Sequence, residues 1–322
     1  MSDSINIASI EAAASRINGL IKRTEALLSP SLSKELEARV YLKLENTQHT
    51  GSFKLRGASN MVLGLTAQER QRGVVTASTG NHGSGVSFAS KMAECPATVF
   101  VPKTANEEKL KLVRENGATV LRSGDDCVET EFNARAYAAE HRLSYIPPYN
   151  HREIIAGQGT VGLELLEQIP TVDKVFVAVG GGGLISGIAT ALKARRNDIE
   201  VIACSPENSC VMHHSLQAGT LLDLPSEPTL SDSTAGGIEP DSITFPICQA
   251  LVDDSVTVSE SEIAEAMGYI YRVHGMVVEG AAGVALAGLR RMATECAGQT
   301  VCVVLCGSNV PKAIFESAVS RD

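Results

Sequence analysis

No stretch of this 322-residue chain holds the ~18 apolar residues that a membrane-spanning helix needs. Met1 to Ala13 also lacks the basic region followed by an apolar run that marks a secretory leader. These two absences lead to the expectation of a soluble, cytoplasmic protein with no membrane partner. A long basic run is missing too: 28 Lys and Arg stand against 37 Asp and Glu, for a net charge of -9. That balance argues against nucleic acid or an anionic membrane as partner and leaves a small molecule as the default. The eight cysteines form no CxxC pair and no repeated spacing of a zinc site, so they are expected to be reduced, mostly buried and not metal ligands. Solenoid repeats and low-complexity tails are likewise missing. What remains is 44% hydrophobic and 20% charged, the balance of a globular chain long enough for two domains or one large one.

The pattern along the chain alternates strands with helices. An amphipathic helix is expected over Ser9 to Ile21, a polar connection over Thr24 to Leu32, a strand at Val40 to Leu44 and a helix beginning at Lys54. Strands then follow at Gly73 to Ala77, Ala97 to Val101 and Ala118 to Leu121. Helices lie between and after them, through Phe88 and Met92, over Glu107 to Glu115 and over Val128 to Ala139. Pro147 and Pro148 break the pattern and suggest a crossing between domains. Beyond them come a helix at Thr160 to Gln168, a strand at Lys174 to Val179, a helix at Leu184 to Arg195, a strand at Ile199 to Cys204 and a helix at Cys210 to Ala218. A loop-rich stretch, Gly219 to Asp241, is long enough to be functional or mobile. Helices at Glu260 to Val273 and Gly280 to Met292, a strand from Thr300 and a helix at Val310 to Val319 complete the chain. Such alternation predicts βαβ units and parallel sheets.

Three strand-to-helix turns carry chemistry. Lys54 follows the turn Asn46 to Gly51 and opens a helix, the wrong macrodipole end for a stabilising cation. It is either a solvated surface lysine or a chemically active one. Gly180-Gly181-Gly182-Gly183 follows the apolar run Val175 to Val179 and precedes a helix, so backbone amides and a helix dipole converge where a phosphate can dock. Ser78 to Gly83 offers hydroxyls, an amide side chain and backbone N–H groups to a carboxylate, or else simply caps its helix. A fourth glycine motif, Gly157-Gln158-Gly159-Thr160-Val161-Gly162, matches the dinucleotide fingerprint but has a polar turn, not a strand, before it. Its glycines are expected to let a helix pack closely, and an oxidoreductase reading is rejected.

The order Gly51-Ser52-Phe53-Lys54-Leu55-Arg56-Gly57, Ser78-Thr79-Gly80-Asn81-His82-Gly83, Gly180 to Leu184, with Val278-Glu279-Gly280 and Cys306-Gly307-Ser308-Asn309, resembles the pyridoxal-phosphate enzymes of the serine/threonine dehydratase and serine racemase family. The likeness covers nearly the whole chain. It implies a two-domain α/β fold of tryptophan synthase β type (fold type II), with parallel-rich twisted sheets flanked by helices. A large domain would span 1–63 and 151–322, and a small mobile one, 64–150, would carry the carboxylate loop. A homodimer is the expected assembly. By the same resemblance, Lys54 anchors pyridoxal 5'-phosphate covalently and is the base that takes the Cα proton. Gly180, Gly181, Gly182, Gly183 and Leu184 would hold the phosphate, Asn81 the ring hydroxyl and Phe53 one ring face. Glu279 would lie near the ring, and Cys306 would face the pyridine nitrogen. Ser78, Asn81 and His82 would hold the substrate carboxylate, with Gly236 and its neighbours Ser231 to Gly237, and Tyr149-Asn150, as pocket walls.

Two departures from the family pattern bear on the reaction. Thr79 stands where the racemases carry a serine that protonates Cα from the opposite face, and its branched methyl restricts the rotamer. Ser205 and Val211 stand where many members place hard oxygen ligands for a divalent cation, so no metal is expected. The expected activity is therefore elimination of water from a β-hydroxy amino acid to a 2-oxo acid and ammonia. Threonine, serine, hydroxyaspartate and phenylserine are the substrate candidates, with amino acid racemisation as the alternative.

Overall fold

The computed structural model describes residues 5–320, and in it the strands gather into two sheets. The strands are β1 (Ala26–Leu28), β2 (Arg39–Lys43), β3 (Val74–Ala77), β4 (Ala97–Val101), β5 (Thr119–Arg122), β6 (Ser144–Tyr145), β7 (Lys174–Ala178), β8 (Glu200–Pro206), β9 (Asp254–Val258) and β10 (Thr300–Val304). Among the described residues, one sheet has six strands in the order β1-β2-β10-β7-β8-β9 and the other has four in the order β5-β4-β3-β6. All neighbouring pairs are parallel except β1 with β2. Every residue of β7 and β10 is buried, as expected of strands covered by helices on both faces. The four-stranded sheet draws all its strands from residues 74–145, inside the expected 64–150 unit, whereas the six-stranded sheet takes strands from both flanking segments. Of the expected large unit, residues 1–4 and 321–322 lie outside the described residues.

Parallel pairing positions the site. Because β2, β10 and β7 run side by side in one direction, their carboxyl ends share one edge of the sheet. The Lys54, Cys306 and Gly180 turns leave from that edge, where open α/β sheets bind ligands. The Ser78 turn leaves the carboxyl end of β3 in the other sheet.

Glycines set how closely the helices beneath the site approach. The helix Arg152–Gln168 packs so tightly on its neighbours that a Cβ on Gly157 would stand 2.6 Å from Gly57 Cα in the Lys54–Gly64 helix, and one on Gly162 would meet the Ala191 side chain of the Gly183–Arg195 helix at 2.8 Å. The glycines of the fingerprint-like motif therefore serve helix packing.

Several elements differ from the sequence expectation. Thr24 to Leu32 contains β1 and the start of the helix Pro30–Glu35, whose N-cap Ser29 accepts from the Leu32 amide. A three-residue edge strand is too short to show periodicity. The expected turn at Asn150 to Glu153 is the start of the Arg152–Gln168 helix, since the His151 ring accepts from the Glu153 amide and makes those polar residues a cap. The first helix runs Ile7–Ile17, earlier than expected, with Asn6 and Ser9 forming a capping box. Helices Ala67–Arg72 and Thr244–Leu251, and β9, were not expected at all.

Candidate active site

Lys54 is the first residue of its helix, and the preceding Phe53 supplies no side-chain cap. Its amine turns into a cavity of about 200 Å³ at the shared sheet edge. There Nζ donates to the Pro148 carbonyl at 2.9 Å and lies 5.2 Å from the Phe53 ring centre. Burial strips water from the ammonium and lowers its pKa to about 8, against the opposing pull of the Glu279 carboxylate. The position at the positive end of a helix, unfavourable to a fixed cation, suits an amine that must lose its proton.

Opposite Lys54 lies the glycine turn. Gly182 has φ +83 and is the N-cap of the Gly183–Arg195 helix, with no side-chain cap, so the first amides of that helix remain available to an anion. The turn is braced from behind: Thr244 Oγ1 donates to the Gly181 carbonyl at 2.6 Å. Tyr149 packs over its front, and a Cβ on Gly181 would meet the Tyr149 ring at 2.6 Å. The Tyr149 hydroxyl in turn accepts from the Glu239 amide at 2.9 Å, which restrains the ring. Substituting Gly181 by alanine is therefore expected to weaken binding of a phosphate here by about 1–3 kcal/mol, the usual range for overpacking. A titration of apoprotein with cofactor, followed by absorbance, measures this, and unchanged affinity would contradict the cradle assignment.

Asn81 lines the same cavity from the start of the Asn81–Met92 helix, whose N-cap Gly80 also lacks a side-chain cap. Its Nδ2 donates to Glu279 Oε2 at 2.8 Å, and its Oδ1 accepts from Asn309 Nδ2 at 2.6 Å. Glu279 is buried, and its Oε1 accepts from Ser233 Oγ at 2.7 Å. Burial raises the Glu279 pKa against the lowering effect of Asn81, Ser233 and Lys54. Cys306 forms part of the wall, and burial, then the nearby Glu279, pushes its thiol well above its ordinary range, so it is neutral.

Of the residues singled out in the sequence, the cavity wall brings together Phe53, Lys54, Asn81, Gly180 to Leu184 and Cys306. Glu279 stands behind Asn81. Ser78, Thr79, His82 and Gly236 are not among the lining residues. Ser78 Oγ accepts from the Gly80 amide, and Gly236 donates its amide to Ser209. The His82 ring turns inward, with Nε2 2.9 Å from the Ile146 carbonyl. Burial, followed by the Lys54 charge, lowers its pKa to about 3, so the ring is neutral. Any carboxylate contact by His82 is thus left to its backbone amide. Ser233, Thr234, Gly237 and Tyr149 fall within the wall segments named from the resemblance. Pro148, Ala178 and Ala281 were missed; the proline pair marked only a break, and a backbone carbonyl leaves no trace in side-chain pattern.

The donor set fits pyridoxal phosphate. A low-pKa amine, an aromatic side wall and a neutral thiol surround a cleft that ends in a glycine turn on a helix N-terminus. Comparison with known proteins agrees. The profile of a family described as "Pyridoxal-phosphate dependent enzyme" matches residues 17–307. The chain is 37% identical to the L-threonine ammonia-lyase of Geobacter sulfurreducens over 97% of its own length and 77% of the relative's. It is also 37% identical to an L-threo-3-hydroxyaspartate ammonia-lyase of a Pseudomonas species, covering 92% and 93% of the two chains. The solved structure of maize serine racemase superposes with a TM-score of 0.92 at 32% identity, over 98% of this chain and 96% of that one.

Proposed function

This chain belongs to the pyridoxal-phosphate-dependent enzyme family, and from that premise we propose that it removes water from a β-hydroxy amino acid, releasing a 2-oxo acid and ammonia. The observation that carries the reading is the Lys54 amine, desolvated and lowered to about 8, facing the uncapped glycine turn across one cavity. Lys54 would hold the cofactor covalently, with its phosphate on Gly180 to Leu184, Asn81 at the ring hydroxyl, Phe53 against a ring face and Cys306 toward the ring nitrogen. When bound, that group supplies a sink for the electron pair left at Cα.

The chain's own residues do the rest. The free amides at the start of the Asn81–Met92 helix take the substrate carboxylate and orient Cα toward Lys54. The neutral Lys54 amine accepts the Cα proton, the Cα electron pair forms the Cα–Cβ double bond as the Cβ–O bond breaks, and the same proton, returned from the Lys54 ammonium, completes the departing water. Cys306, as a neutral thiol, places no negative charge on its wall, which suits prompt loss of the β leaving group. We assign residues 64–150 to a unit that closes over the substrate and excludes water. The reading includes a homodimer: large apolar side chains, Val128, Phe132 and Tyr271 among them, stand exposed, and sedimentation tests the assembly. A cytoplasmic setting is supported by eight free cysteines, and fractionation of the source cell tests it. No helix among the described residues is long and apolar enough to cross a membrane.

Among the described cavity-lining residues Lys54 is the one cationic side chain, so a second substrate carboxylate has no dedicated partner there. This favours threonine or serine over hydroxyaspartate. A panel of β-hydroxy amino acids, with both configurations at each carbon, assayed for ammonia and oxo acid, tests the reading. Similarity to a serine racemase makes racemisation the second reading, and a D-amino acid product in place of oxo acid would establish it. Because only the neutral amine accepts the proton, the turnover rate is expected to rise with pH through about 8 and level off above, which a pH profile of kcat measures.

A further inference from the structure

Two ion pairs cross the rim of the cavity between the 64–150 unit and the loop that precedes the Thr244–Leu251 helix. Lys109, on the Glu107–Glu115 helix, reaches Asp232 with Nζ 2.9 Å from Oδ2. Arg135, on the Cys127–Glu140 helix, reaches Glu239 at 3.3 Å. Each partner is joined directly to the cavity wall. Asp232 precedes Ser233 and Thr234, which line the cavity; Ser233 is tied to Glu279, and Thr234 packs its backbone where a Cβ on Gly180 would fall, 2.8 Å from the carbonyl oxygen. Glu239 also accepts from Asn150 Nδ2 at 3.1 Å, and its amide donates to the hydroxyl of Tyr149, the ring packed on Gly181. On the other side, the Lys109 helix packs on the Asn81–Met92 helix, and the Arg135 helix packs on β3, which leads into the Ser78 turn.

We propose that Lys109–Asp232 and Arg135–Glu239 are positioning latches that hold the carboxylate-binding turn at Ser78 to Gly83 in register with the Ser233 and Tyr149 walls during turnover. The inference rests on the closing motion assigned above to residues 64–150. Both pairs are partly exposed, so each is weak and sensitive to salt, as a contact that must open in every cycle has to be. They act on substrate capture and not on the proton transfer at Lys54.

The test uses the holoenzyme. Lys109→Met and Glu239→Gln are each expected to raise KM by about two- to fivefold, the span of exposed ion pairs, with kcat little changed. The exchanged pair Lys109→Asp with Asp232→Lys restores KM. Raising salt from about 0.05 to 0.5 M increases the KM of the parent enzyme and leaves that of the double variant Lys109→Met, Glu239→Gln flat. Hydrogen exchange supplies a readout that needs no turnover: residues 78–83 and 231–237 exchange faster in Lys109→Met, and the exchanged pair reverses this. Unaltered KM, salt response and exchange in the single variants, or failure of the exchanged pair to rescue, would overturn the proposal. A parent enzyme that releases no ammonia from any β-hydroxy amino acid overturns the dehydratase reading alone, because the exchange measurement still decides the latch.

Discussion

Replacing Lys54 by alanine is expected to abolish dehydratase turnover, with a loss of roughly 10²–10⁴-fold from the missing proton transfer alone. Loss of the covalent anchor proposed for this lysine adds to that figure. Its amine is the lining group with a pKa lowered to about 8, and neither Cys306 nor His82 beside it can replace it. The Cys306 thiol is held protonated by burial, and the His82 ring nitrogen Nε2 is committed to the Ile146 carbonyl. Alanine at the first helical position preserves helix propensity, so the loss does not come from unfolding. The visible band of the bound cofactor should change with the activity, and a variant that keeps normal turnover would remove Lys54 from the mechanism.

The largest effect on stability is expected at Arg56, two residues further along the same helix. Its guanidinium is fully buried, with Nε and Nη2 each donating at 2.8 Å to the buried Glu45 carboxylate and Nη1 donating to Glu164 at 2.7 Å. Lys43, also fully buried, pairs with Glu164 at 2.5 Å. Burial opposes charge on Arg56, but Glu45 and Glu164 outweigh it and raise its pKa, while Arg56 in turn overcomes burial to hold Glu45 ionised. Arg56→Met takes from the buried Glu45 its hydrogen-bonded counter-ion and leaves it the Lys43 charge alone, and should cost about 3–5 kcal/mol by denaturant unfolding. Arg56→Lys cannot make the bidentate contact and should fall between the two. A loss below ~1 kcal/mol in Arg56→Met would show that Glu45 takes up a proton or water with little penalty. The network joins β2, the Lys54–Gly64 helix and the Arg152–Gln168 helix, so its integrity also bears on where Lys54 points.

The turns that carry the chemistry were legible because their information is local. A lysine after a small-residue turn, four glycines between an apolar run and a helix, and Ser78 to Gly83 each declare a backbone geometry within a few residues. The parallel α/β architecture followed from alternating strand and helix periodicity, and the packing role of Gly157 to Gly162 followed from the missing strand before it. What stayed hidden was short, capped or distant. β1 has three residues, and the start of the Arg152–Gln168 helix is written in polar capping groups that read as a turn.

The sequence by itself determined the family and the cofactor chemistry, since these depend on local turns appearing in one order, and it singled out Lys54 as the lysine proposed to anchor the cofactor. Only the tertiary structure decided which of the marked residues meet. It turned the His82 ring away, set the Pro148 carbonyl against Lys54, linked Asn81 through Glu279 to Ser233, and paired Lys109 with Asp232 across 123 positions of chain. Those contacts arise from parallel strand pairing and helix packing that bring carboxyl ends to one edge, and no stretch of sequence a few residues long encodes them.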